Sequence, residues 1–196
     1  MKVLISMMIL AGGIISSCGM FGTREPENPS GFSSLWNPPA NPAGVLTNIV
    51  DAFQVRDGVL YMKSFAQPGY SDSTFRFQPD ISSPSYDPTV FSDWGFDAEQ
   101  AFILMLFSPD FLPDDSICAI EFIAESEPPE LTFPIYREQY ILEIHHTNSN
   151  LPTEFSGRAN IQFGLNSNLD WVIISWTDES ISGSHSLTEL KSAISN

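Results

Sequence analysis

Positive charge is what this sequence has least of. Eight Lys and Arg residues face 24 Asp and Glu, for a formal net charge of -16. Beyond Lys2, the cations are Arg24, Arg56, Lys63, Arg76, Arg137, Arg158 and Lys191, and they are scattered. An acidic surface without a basic patch repels phosphate, so no nucleic-acid partner is expected. It also gives no electrostatic help at an anionic membrane. Solubility is its simplest consequence. Cysteine is scarcer still, with 2 residues, Cys18 and Cys118. Cys118 sits in the apolar stretch Ile117-Cys118-Ala119-Ile120 with no basic neighbour to lower its pKa, which reads as a small core hydrophobe. Of the 3 histidines, His145 and His146 are adjacent, so on a strand they point to opposite faces and cannot chelate together. His185 stands apart, and no Cys/His cluster has zinc spacing, so no metal is expected. Asn166 to Asp170 is rich in oxygen ligands but lacks the glycine and closing glutamate of an EF-hand loop, and reads as a hairpin turn. There is no phosphate-binding loop and no serine-hydrolase elbow, and no cofactor is expected.

Long apolar runs are missing too. Val3 to Ile15 falls short of the ~20 residues a membrane-spanning helix needs. With Lys2 before it and Ser16-Ser17 after it, this run has the parts of a secretory signal. Ile15-Ser16-Ser17-Cys18 resembles the lipobox of bacterial lipoprotein signals. That resemblance implies cleavage before Cys18, diacylglycerol on its sulfur, and membrane attachment through that lipid. Residues 1–17 would be removed. Gly19, where an Asp would retain the protein at the inner membrane under enterobacterial sorting rules, implies the outer membrane of a bacterial envelope.

Residues 18–40 then read as a lipidated cysteine and a tether. Pro26, Pro29, Pro38 and Pro39 stand among Gly, Ser and Asn, without apolar periodicity. Phe32, Leu35 and Trp36 are unusual in a spacer, and docking of these residues onto the domain is expected ahead of insertion into the membrane interface.

The folded domain is expected over residues 41–196. Asn41-Pro42 suits a helix start, with Val45, Ile49, Val50 and Phe53 at helical spacing. Asp57-Gly58 ends that helix, and a short second one carries Leu60, Tyr61, Ser64 and Phe65. Phe75 and Phe77 flank Arg76 in a short strand. Asp87-Pro88 opens what reads as the longest helix, through Val90, Trp94, Ala98, Ala101 and Met105. Its second half is apolar all round, which predicts deep burial. Four strands follow, at Ile117–Ala124, Tyr140–Thr147, Ala159–Leu165 and Trp171–Trp176, the last apolar on both faces and so central. Turn residues between them favour antiparallel hairpins. Ser186 and Glu189 have capping-box spacing at the start of a terminal helix with Leu187, Leu190 and Ile194 on one side. Helices followed by strands mean an α+β fold.

Several stretches within this order resemble bacterial lipoproteins of the nuclear-transport-factor-2-like (NTF2-like) family. They are Pro42-Ala43-Gly44-Val45-Leu46 leading to Ala52-Phe53; Tyr61; Trp94 with Glu99 and Met105; and Trp171 to Asp178 followed by Ser184 to Lys191. The resemblance implies an NTF2-like cone: N-terminal helices packed on a strongly bent antiparallel sheet, with a short C-terminal helix. The family includes isomerases, dehydratases and binding domains, so fold alone does not choose the activity.

A cone of this kind can hold a pocket for a small apolar ligand between sheet and helices. Strand parity places His146 with Tyr140, Leu142 and Ile144, toward the helices, and Tyr61 and Trp94 could line the same space. The catalytic version would use His146 as base and Tyr61 as oxyanion donor. The plainer alternative leaves His146 at a strand end, satisfied by backbone. On the other sheet face, Ile123, Ile141, Trp171 and Ile173 share the surface with Glu121, Glu143, Asn160 and Gln162. This face would be either a homodimer or protein-partner surface, or covered by the terminal helix or Trp36. The leading expectation is a lipid-anchored envelope protein whose domain is a non-catalytic binding or interaction module. The alternatives are a small acid–base pocket enzyme and a structural envelope subunit.

Overall fold

A computed structural model describes residues 36–125 and 135–195. The signal, Cys18, Phe32 and Leu35 lie outside the described residues. Within them, helix α1 (Pro42–Val55) starts as its sequence predicts: the Asn41 side chain accepts from the Gly44 N–H, and Pro42 occupies the first turn. Arg56 ends it in the left-handed region, and the Asp57 carboxylate caps α2 (Gly58–Met62). Strand β1 is Arg76–Gln78.

The long helix expected from Asp87 is two helices, α3 (Pro88–Phe91) and α4 (Phe96–Leu106). The break has a job. Residues 94 and 95 run beside β1, where the Phe77 N–H bonds the Trp94 carbonyl and Gly95 bridges to Arg76. This covers an edge that would otherwise be open. Burial of α4 is also less complete than expected, since Leu104 and Met105 are 57% and 55% exposed. Its buried face carries Glu99, Phe102, Ile103 and Leu106.

The sheet continues with β2 (Cys118–Ala124), β3 (Ile135–Ile144), β4 (Glu154–Leu165) and β5 (Trp171–Ser180), and helix α5 (Leu187–Ser195) closes the described chain. The strand order is β1-β5-β4-β3-β2, so β5 is internal, as its doubly apolar sequence predicts. Neighbouring pairs from β2 to β5 are antiparallel, but β1 pairs with β5 in parallel, so the sheet is mixed. Strands β3 and β4 begin five residues earlier than the hydrophobic alternation suggested, because Glu138 and Gly157 interrupt that alternation while keeping inward positions. The resulting architecture is α+β, a five-stranded mixed sheet with helices packed on it.

One inward row of the sheet runs Ala124–Glu138–Ala159–Asp178, and the next holds Tyr140 opposite Gly157. A shift in register at Gln162/Phe163 sets Ile173 opposite Phe163 and Trp176 opposite Ile161. Strict alternation along β5 is thereby broken. Ile173 is fully buried in the core, which corrects its expected place on the outer face. Trp171 is half-buried, whereas Ile123 is 41% exposed. Helix α5 packs on α4 and β4, and Trp36 sits beside Lys63, whose Nζ is 5.5 Å from its ring centroid. Trp36 thus docks on the domain. Its neighbours follow: the Pro39 carbonyl accepts from the Trp171 N–H, and the Asn37 carbonyl from Asn48 Nδ2. Cys118 is buried in the core and its thiol is pushed up to about 11 by that burial, as suits a core hydrophobe.

Gly157 makes the Tyr140 position possible. A Cβ built there would stand 2.4 Å from Tyr140 Oη and 2.9 Å from the Glu179 carbonyl oxygen. Gly157→Ala should therefore destabilise the domain by about 1–3 kcal/mol, the usual range for overpacking. Equilibrium urea unfolding checks this, and an unchanged midpoint would contradict the packing described.

Candidate functional site

Two opposite charges lie on the apolar faces of two helices. Glu99 precedes Phe102, Ile103 and Leu106 on the buried stripe of α4, and Lys191 follows Leu187 and Leu190 on that of α5. Packing these helices together brings the charges into contact. Each is 1% exposed, and Lys191 Nζ donates to Glu99 Oε2. The other donors come from Tyr61 and Trp94. Tyr61 Oη donates to Oε1 at 2.7 Å and Trp94 Nε1 to Oε2 at 2.7 Å. The ammonium also sits 4.2, 4.7 and 4.5 Å from the ring centroids of Phe102, Trp94 and Phe77. A desolvated cation among aromatic faces gains up to about 2 kcal/mol in such contacts. Burial pushes the Lys191 pKa down, while Glu99 pulls it back up. Burial, together with the negative charge of Glu99, drives the Tyr61 phenol well above its usual range.

A second network adjoins the first. Asp178 accepts from Tyr140 Oη at 2.7 Å, from the Thr188 N–H at 2.8 Å and from Thr188 Oγ1 at 2.6 Å. Tyr140 Oη in turn accepts from the Leu187 N–H at 2.7 Å. Strand residues thus supply the N-terminal cap of α5. The expected capping box is not formed, because the Glu189 carboxylate is engaged by His185 Nδ1 at 2.7 Å. Burial raises the Asp178 pKa against the lowering effect of its hydrogen bonds.

Tyr61 and Trp94, expected to line one space, are therefore together, but on Glu99 and Lys191. His146 does not join them. Its Nε2 lies 2.9 Å from the Pro152 carbonyl and its ring stacks on Phe111 at 5.0 Å, while its buried Nδ1 has no hydrogen-bond partner among the described residues. The sequence held a signal for Glu99 and Lys191, namely a charge at a core position of an amphipathic stripe. Asp178 and Glu138 carried a similar one, as acidic residues at inward strand positions.

Glu138 differs from the other buried acids. It is 5% exposed, yet among the described residues no side chain or backbone group hydrogen-bonds to its carboxylate. Burial raises its pKa, and so does the charge of Glu125. It opens onto a groove of about 350 Å³ between α1 and β2–β3, lined by Leu46, Val50, Ile120, Phe122 and Ala124. A wider depression of about 680 Å³ lies between residues 82–85 and 180–185, with His185 and Glu189 on its wall. Of its hydroxyls, Ser82 donates to Asp80, and Ser184 to the Ser156 and Ile181 carbonyls, while the buried Ser180 Oγ has no hydrogen-bond partner among the described residues.

No family model matches this chain, and no curated protein does. Solved structures are similar to it at low identity. ActVI-ORFA from Streptomyces coelicolor is 12% identical over 69% of this chain and 91% of its own, with a TM-score of 0.47. An NTF2-like superfamily protein from Salmonella enterica serovar Typhimurium is 10% identical over 71% and 89%, with a TM-score of 0.45. An NTF2-like protein of unknown function from Exiguobacterium is 15% identical over 70% and 98%, with a TM-score of 0.38. Likenesses of this strength transfer no activity and no site residue to this chain.

Two outcomes follow from the charges. Lys191→Met, which keeps the stem and removes the charge, should destabilise by about 3–5 kcal/mol, because it leaves a buried carboxylate without its cation. Adding Glu99→Gln should restore at least half of that loss in a double-mutant cycle of urea unfolding midpoints. Glu138 behaves in the opposite sense. Its folded pKa is raised, so its neutral form favours the fold at low pH, and that contribution is lost as pH rises through the folded pKa. Glu138→Gln should therefore raise the melting temperature by a few degrees near pH 7 and leave it unchanged at about pH 4 or below. Thermal melts at the two pH values measure the difference.

Proposed function

We propose that this chain is a lipid-anchored protein of a bacterial envelope whose NTF2-like domain is a non-catalytic module that binds a small ligand in the groove beside Glu138. The observation that carries the reading is the contrast between its acidic groups. Inside the helix–sheet core, Glu99 and Asp178 each take donors on both carboxylate oxygens. The Tyr61 hydroxyl, needed free for an oxyanion, is engaged by Glu99. At the groove the Glu138 carboxylate has no hydrogen-bond partner among the described residues, and Leu46, Val50, Ile120 and Phe122 line the space beside it. A concave apolar surface with one convergent polar group is what small-molecule sites are made of.

The anchor reading rests on Met1–Cys18 and places the domain on a tether, in keeping with a protein held at the outer membrane through diacylglycerol on Cys18. The outer sheet face is less suited to a partner than the groove. Around Ile123 and Ile141 it carries Arg137, Arg158, Glu125 and Glu179, joined in ion pairs of 2.8–3.2 Å.

Metabolic labelling with a fatty-acid probe tests the anchor. Wild-type protein should take up label and pellet with membranes, and Cys18→Ser should do neither. Native mass spectrometry of the purified full chain tests the module. A retained small molecule, lost when Val50→Trp fills the groove, is the expected result. A bound molecule that survives Val50→Trp would move the site elsewhere.

A further inference from the structure

The ligand class follows from what surrounds Glu138. It projects from the inward side of β3, and its cross-strand neighbours are Ala124 and Ala159. Both are small, so the carboxylate has lateral room that larger residues would fill. Along its own strand it lies between Tyr136 and Tyr140. No cation of the described chain reaches it. Helix α1 has the sequence PAGVLTNIVDAFQV, which contains no Lys or Arg. Arg137 pairs with Glu125 and Glu179, and Arg158 with Glu125. The remaining charge at the groove is also negative, since Glu121 lines it and Glu125 acts on Glu138.

A ligand that fits must satisfy both halves of this surface. An anion is repelled by Glu138 and Glu121, and by the -16 net charge of the whole chain. A purely apolar molecule would strip the remaining water from Glu138 and leave its carboxylate unpaired, which is costly. A cation on a short apolar chain meets both demands: its charge pairs with the carboxylate and its hydrocarbon lies on Leu46, Val50, Ile120 and Phe122. The groove volume, about 350 Å³, lies at the small end of the pocket range of about 300–1,000 Å³. That points to a single short chain.

We propose that the groove between α1 and β2–β3 binds a free, single-chain alkylammonium compound, with its ammonium on Glu138 and its alkyl chain along Leu46, Val50, Ile120 and Phe122. The assignment rests on the binding-module reading and names its ligand class.

Isothermal titration calorimetry on the full chain in nonionic detergent tests it, with n-hexylammonium, n-hexanol and hexanoate as probes and titrations into detergent alone subtracted. These chains are short enough to stay monomeric. Hexylammonium should bind one to one, about tenfold or more tighter than hexanol, the effect of one charge-assisted hydrogen bond in a desolvated site. Hexanoate should bind more weakly than either. Glu138→Gln, nearly isosteric, should bring hexylammonium to within about twofold of hexanol. Val50→Trp should abolish both. If hexanol binds as tightly as hexylammonium, or if Glu138→Gln keeps the preference, the alkylammonium assignment is overturned while a binding groove survives. If no probe binds, or if Val50→Trp leaves binding intact, the groove and the assignment fall together. Melting of both variants near the wild-type temperature shows that they are folded.

Discussion

The contact between Glu99 and Lys191 is the constraint on which the rest of the domain depends. One carboxylate accepts from Tyr61 on α2, from Trp94 at the break between α3 and α4, and from Lys191 on α5. Three stretches far apart in sequence, around residues 61, 94–99 and 191, are thereby tied to one buried group. A buried charge is tolerated only when it is paired and its remaining hydrogen-bonding capacity is filled. Here the aromatic rings of Phe77, Trp94 and Phe102 complete the shell around the ammonium. The arrangement also explains the interrupted helix. A continuous helix from 88 to 106 would deprive β1 of the Trp94 carbonyl partner that the break supplies.

The Asp178 network positions the helix that delivers Lys191. Tyr140 reaches over Gly157 and receives the Leu187 N–H, while Asp178 takes the Thr188 N–H and hydroxyl. The first turn of α5 is fixed to the sheet, and Lys191 comes one turn later. Charge and geometry reinforce each other, since an anion at a helix N-terminus is favourable where the dipole is least screened. A space between sheet and helices that could have been a pocket is occupied by the domain's own side chains.

That occupancy redirects attention from the centre to the rim. Glu138 sits in the same row of the sheet as Asp178, two strands away, with an alanine between them. One of these acids is saturated by the chain, and the other has no hydrogen-bond partner among the described residues. The acidity of the sequence, which reads at first as solubility alone, has a local expression here: a carboxylate held in apolar surroundings without a counter-ion of its own.

Much of the architecture was legible in the sequence. Asn41-Pro42 and Asp87-Pro88 mark helix starts because their chemistry is local, and the alternation in β2 and the doubly apolar β5 report burial through a period the strand itself imposes. Other features were decided only in three dimensions. The register shift in β5 that buries Ile173 depends on its neighbour β4, and the parallel pairing of β1 depends on which edge remained open. Tyr61 and Trp94 could be picked out as pocket-lining residues, but their partners could not, because Lys191 is 92 residues from Glu99 along the chain. His146 has the residue type of a base and the position of a strand end. Local sequence determines which segments become helix or strand and which faces they bury. The distribution of charges and donors among those faces is set by long-range packing, because the cost of a buried charge depends on every group that packing brings within reach of it.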